Sequence, residues 1–221
     1  MTQFNFTRTR NIHRRLFRRL AMLTAVFFCA AANTGQADVI ETLYSSSPAN
    51  PANGGAVYFD INVLTDWGIT VERISTNTDD SFTNGTMSVF ARTGTYAGFE
   101  TNIAGWTLVS TGTGNGAGIN NPSVFDVTDF DLRPGVFGIA IVSDAARWGH
   151  RYTNGNGSNQ FYSNGDVSLT LGSAKDIPFA TQGITFSPRV WNGSIEYTPI
   201  PEPTHFVLLG IALVGVARRR R

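Results

Sequence analysis

The chain has 221 residues, a formal net charge of +1, one cysteine, 23 glycines and four tryptophans. The charge is unevenly placed: six arginines lie in the first 19 residues and four end the chain, so positions 38–200 hold seven cations against fifteen acids, a net of −8. An acidic middle argues against nucleic-acid binding, which needs a basic stripe, and a single cysteine excludes a disulfide framework.

In chain order, Arg8, Arg10, Arg14, Arg15, Arg18 and Arg19 precede an apolar run from Leu20 to Ala32. Gly35-Gln-Ala37 then offers a small-x-small site before Asp38. That order predicts a signal helix within a signal peptide over 1–37, taken up by the general secretion machinery and cut by signal peptidase between Ala37 and Asp38. The cut removes Cys29, so the mature chain has no thiol.

Residues 38–198 lack helical periodicity. Short alternating or β-branched runs predict strands over Ala56–Leu64, Ile69–Ile74, Thr86–Arg92, Trp106–Ser110, Ser123–Val127, Val136–Ser143, Gly149–Thr153, Val167–Leu171 and Val190–Tyr197. The separators are turn chemistry: Asn53-Gly54, Asn84-Gly85, Asn154-Gly155, Asn164-Gly165, Asn192-Gly193 and Arg133-Pro134-Gly135. The expected fold is all-β, an antiparallel jelly-roll-like β-sandwich. Its expected core is Val57, Phe59, Ile61, Val71, Val89, Leu108, Phe137, Ile139, Ile141, Leu169, Leu171 and Ile195.

The tail over 199–221 has three parts. Proline fixes φ and has no amide donor, so Pro199 to Pro203, around Pro201-Glu202-Pro203, is predicted to stay out of any sheet ladder as an extended spacer. Phe206 to Ala217 is a short apolar span, about 20 Å as a helix against a hydrocarbon core of about 30 Å. Arg218, Arg219, Arg220 and Arg221 resist crossing, which predicts a short transmembrane helix in the inner membrane with the preceding domain outside.

This triplet, span and basic end over Ile200 to Arg221 resemble the PEP-CTERM sorting signal of Gram-negative, exopolysaccharide-producing bacteria. The resemblance implies an exosortase, a membrane-embedded cysteine protease, as partner, with cutting near the triplet and transfer of the domain to the cell surface or outside. Gly54–Asp60, Gly94–Glu100, Trp106-Thr-Leu-Val, Arg151–Gly155 and Phe186–Gly193 together resemble a surface-sorted extracellular β-sandwich domain. That second resemblance supplies no catalytic residue.

The middle offers little for catalysis. His150 is its only histidine and no G-x-S-x-G elbow surrounds a serine, so no Ser/His/Asp triad is expected. Glu100 with Asp126, or Glu72 with Glu196, could serve as a glycan-hydrolase pair. Asp126, Asp129 and Asp131 are hard oxygen ligands for a structural calcium; in an extended strand Asp129 and Asp131 would share one face and Asp126 the other. Asp79-Asp80 is expected in a turn. For binding, Trp148, Arg151, Tyr152 and Tyr162, in a segment rich in Asn and Gly, could stack on sugar rings of an extracellular polysaccharide, with Trp67 as a further ring, whereas Trp106 and Trp191 sit in strand patterns and are expected in the core. Thr76-Asn-Thr78, Thr93-Gly-Thr95 and Thr111-Gly-Thr113 are too irregular for a flat threonine array. The expectation is thus an exported, non-enzymatic surface or matrix protein, with a carbohydrate-binding module as the alternative and a hydrolase third.

Overall fold

The computed structural model describes residues 36–46, 55–144 and 146–202; the expected signal helix and C-terminal span lie outside them. Thirteen strands occupy this region: β1 (Asp38–Glu41), β2 (Ala56–Val63), β3 (Ile69–Asn77), β4 (Gly85–Thr93), β5 (Thr107–Gly114), β6 (Pro122–Leu132), β7 (Gly135–Ser143), β8 (Tyr152–Asn154), β9 (Phe161–Ser163), β10 (Val167–Lys175), β11 (Thr185–Phe186), β12 (Arg189–Trp191) and β13 (Gly193–Pro199). Among the described residues no helix is long and apolar enough to cross a membrane.

The all-β, antiparallel expectation holds, but the layering differs from a two-sheet sandwich. Eleven strands join in one hydrogen-bonded path, β1-β13-β3-β6-β5-β4-β7-β2-β10-β11, with β9 also on β10. The path curls like a barrel until its ends meet. Asn164 Nδ2 on the β9–β10 turn donates to Tyr197 Oη of β13 at 2.8 Å, and Tyr197 Oη donates to Asp166 Oδ2 at 3.3 Å. Curling removes most of the free edge that a flat sheet of this width would expose.

The interior follows the strand alternation. Phe59 and Ile61 of β2, Val71 and Ile74 of β3, Met87 and Val89 of β4, Phe125 of β6, Ile139 and Ile141 of β7, Leu169 and Leu171 of β10 and Ile195 of β13 form one buried cluster. The β8–β12 ribbon adds Trp191, whose ring stacks on Phe59 at 4.9 Å and 6°. Phe137 is only half-buried, and Leu108, expected inside, is 51% exposed. A bulge explains Leu108: Ser110 pairs with Val89 but Leu108 pairs with Phe90, so the alternation of β5 slips by one and Leu108 turns outward.

A second aromatic layer coats the outer face of β2, β4 and β7. Tyr58 meets Trp106 and Phe179 edge-on, each at 5.9 Å, while Phe179 also packs on Phe90 at 5.0 Å. The β4–β5 loop that supplies Trp106 is tied down by Asp60, which accepts from Thr95 Oγ1 and the Tyr96 amide, both at 2.8 Å. Burial raises the Tyr96 phenol to about 12, with Asp60 and Glu100 adding to the rise. Tyr96 lies so close to Gly138 that a Cβ there would sit 2.6 Å from the Tyr96 amide nitrogen.

Candidate functional site

Both ends of the folded region leave from one pole. In the β1–β13 pairing Asp38 faces Tyr197, so the predicted mature N-terminus lies beside the strand that leads into the tail. Contrary to the expected spacer over 199–203, Pro199 is the final residue of the β13 ladder, opposite Ile69, where its missing donor is tolerated at a strand end, and the Ile200 amide bonds Gly68 O at 2.9 Å. Pro201 and Glu202 follow as exposed residues with no strand assignment. Pro201 has no amide hydrogen with which to continue the ladder.

The neighbouring turns complete this pole. Leu64-Thr65-Asp66-Trp67-Gly68 joins β2 to β3, with Leu64 N bonded to Asp166 O at 2.7 Å and Thr65 Oγ1 donating to Gly68 O at 3.0 Å. Gly68 has φ +100°, and a Cβ there would meet Leu132 O at 2.4 Å, so only glycine fits this close approach. The turn holds Leu64 at 49% and Trp67 at 41% exposure.

A second feature lies on the outer face of β4, β5 and β6. Thr86, Ser88, Thr111, Thr113, Asp126 and Thr128 line a shallow groove of about 440 Å³. The ladder sets Thr86 opposite Thr113, Ser88 opposite Thr111 and Thr113 opposite Asp126. These residues came from three strands and were not foreseen as a group. Only the Thr111-Gly-Thr113 triplet hinted at them.

The rings expected to bind sugar fall mostly inside the protein. Trp148 is buried against Phe82 and Phe125 and donates its indole N–H to Thr86 O at 2.9 Å. Tyr152 is buried on the β8–β12 ribbon near Phe186, and Trp106 and Trp191 are buried as well. These four rings present no flat face to solvent, which overturns the Trp148–Tyr152 stacking platform. Tyr162 and Arg151 are half-buried, and Trp67 stands at the opposite pole from Arg151, whose amide bonds Asn77 O at the far end of β3.

His150 is buried and belongs to a satisfied polar chain. Its Nε2 lies 3.0 Å from Ile141 O, which can only accept, so Nε2 carries the proton and Nδ1 is the acceptor. Thr76 Oγ1 donates to Nδ1 at 3.2 Å and receives the Trp191 indole N–H at 3.0 Å. Burial lowers the imidazole to about 3, partly offset by the bond to Ile141. A neutral, enclosed imidazole of this kind is a structural element.

The acidic residues are dispersed. A bulge in β6, where Val71 pairs with Phe130 and Arg73 with Asp126, resets the alternation, so Asp126 is exposed along with Asp129 and Asp131 and does not face inward. Asp131 accepts from Thr70 Oγ1 at 2.8 Å and lies 3.9 Å from Arg133. Among the described residues no group of three or more His, Cys, Asp or Glu is gathered to hold a metal ion. Glu196 takes two bonds of 3.0 Å from Arg73, Glu72 accepts from Thr198, and Glu100 accepts from Ser173 at 3.4 Å. Asp79 Oδ1 accepts the Gly149 amide at 2.8 Å. Of the threonine triplets, Thr76 and Thr78 are buried.

Pro203 and Arg218 to Arg221 lie outside the described residues. No curated protein and no solved structure matches this chain. Residues 199–221 match the PEP-CTERM protein-sorting motif, beginning where the β13 ladder ends, and this marks the chain as an exported protein bearing a membrane-anchoring tail for processing by an exosortase.

Proposed function

We propose that this protein is a non-enzymatic component of the cell surface or extracellular matrix of an exopolysaccharide-producing Gram-negative bacterium. A signal peptide over 1–37 directs it across the inner membrane, and signal peptidase cuts before Asp38, leaving β1 as the first element of the mature chain. The tail then holds the folded domain at the outer side of that membrane until the exosortase cuts near Pro201-Glu202-Pro203. The observation that carries this reading is the coincidence of two boundaries. Among the described residues the β13 ladder ends at Pro199, Ile200 bonds Gly68 O and Pro201 opens the sorting triplet, so a cut there leaves that ladder whole. A net charge of −8 between the signals favours a dispersed, soluble domain after release.

The test is to replace Pro201-Glu202-Pro203 by alanines in the producing cells. The expected result is an uncut, membrane-associated form; release at the unaltered size would refute the role given to the triplet.

A second reading, polysaccharide binding, is favoured by the hydroxyl-lined groove on β4, β5 and β6. Thr86, Ser88, Thr111, Thr113 and Thr128 supply donors and acceptors, and Asp126 an acceptor, for sugar hydroxyls. Affinity electrophoresis in the producer's own polysaccharide tests it. Retardation that is lost in a Thr111→Val, Thr113→Val double variant supports the groove, whereas unchanged mobility of the parent protein removes this reading.

A further inference from the structure

We propose that the pole at which the chain ends is a docking surface for the same exosortase, so that recognition extends from the tail onto the folded domain at Leu64, Asp66 and Trp67. This rests on the reading of the tail as an exosortase substrate.

The first argument is reach. Five residues, 201–205, separate Ile200, fixed to Gly68, from the apolar run that begins at Phe206. Fully extended they cover at most about 18 Å. A protease that grips the triplet within that gap must abut the β2–β3 turn, because Ile200 is bonded to the turn itself.

The second argument is the surface presented there. Trp67 and Leu64 are half exposed on a turn braced by Thr65, Gly68 and Asp166, so little order is lost on binding. Exposed tryptophan on a rigid support is the residue type that most often anchors an interface. The same pole carries Asp66 on the turn itself, Asp166, whose carbonyl accepts the Leu64 amide, Asp38 opposite Tyr197 and Asp131 opposite Thr70, while Arg133 Nη1 donates to Trp67 O at 3.5 Å. These carboxylates disfavour an anionic lipid surface and favour a protein partner with a basic rim.

The experiment follows tail removal by pulse-chase in producing cells with the full chain. Leu64→Ser with Trp67→Ser, and separately Asp66→Lys, should each slow removal about tenfold. Ile119→Ser, an exposed apolar residue on the β5–β6 loop beyond the Asn77 end of β3, should leave the rate unchanged. Inserting ten Gly-Ser residues between Ile200 and Pro201 should shrink the difference between the Leu64/Trp67 variant and its parent to under twofold, since the protease can then take the tail without touching the pole. Unaltered removal in the pole variants overturns the docking surface while leaving the tail reading intact; a tenfold gap that persists with the spacer assigns the defect to folding and also overturns it. Removal that continues in cells lacking the exosortase refutes the tail reading instead. Co-sedimentation of the mature domain with phosphatidylethanolamine–phosphatidylglycerol vesicles, lost on Trp67→Ser, would assign the patch to lipid and overturn the protein partner.

Discussion

Acidification from pH 7 to pH 4.5 should destabilise the mature domain through His150. The imidazole stays neutral in the fold, with its value lowered from the ordinary 6.5 to about 3, because it is enclosed by Ile141, Thr76 and Trp148. A depressed value in the folded state means that only the unfolded chain takes up a proton across this window. The stabilising contribution is therefore full above pH 6.5 and is lost as pH falls from 6.5 toward 3. At pH 4.5, two units below 6.5, the loss is about 2–3 kcal/mol at 1.36 kcal/mol per unit. The assay is urea denaturation of the secreted protein at both pH values, with His150→Gln alongside. Gln keeps an amide donor for Ile141 O but does not titrate, so its own loss over the same interval should be smaller by about 2–3 kcal/mol. Contributions common to both proteins drop out of the comparison. Equal losses in the two proteins would refute the reasoning, as would an imidazole resonance that titrates near pH 6.5 in the folded state.

The same network predicts that Thr76→Val costs about 2–4 kcal/mol, because it strands both the Trp191 indole N–H and His150 Nδ1 in the core; calorimetry checks it. Gly138→Ala should cost about 1–3 kcal/mol, since its Cβ meets backbone at Tyr96, whereas Gly165→Ala, with open space around it, should be close to neutral in the same melts. Lys175 is the chain's one lysine and is fully buried, its ammonium donating to Gln182 O at 3.0 Å. Amine acylation of the native mature protein should therefore stop at the α-amino group, and modification of Lys175 should appear only in denaturant; rapid native labelling would contradict its placement.

Much of the sheet was readable because half-buried strands alternate. Ala56 to Leu64 and Val136 to Ser143 came out within a residue or two of β2 and β7. β1, β9 and β11 were invisible for the opposite reason: each is two to four residues long and is defined by the strand it borders. Bulges account for the phase errors. One turned Leu108 outward and another brought Asp126 to the same exposed side as Asp129 and Asp131, and neither bulge leaves a local mark in the sequence.

Site residues were harder to place. Trp148 to Tyr162 reads as a recognition loop, yet the Gly149 amide and His150 Nδ1 are engaged by Asp79 and Thr76, seventy or more residues away in sequence, and Trp148 and Tyr152 fill the core. The groove needs three strands to exist and so has no linear signature. The sorting motif over 199–221 is legible because its information is linear: proline, apolar run and arginine follow one another in chain order.

The most direct measurement of the central claim is the intact mass of the protein recovered from outside the producing cells. A species that begins at Asp38 and ends within Ile200 to Pro203 is the predicted result, since it spans β1 to the bond of Ile200 with Gly68. Recovery of the uncut 24.0 kDa chain, with both terminal segments retained, would contradict the account.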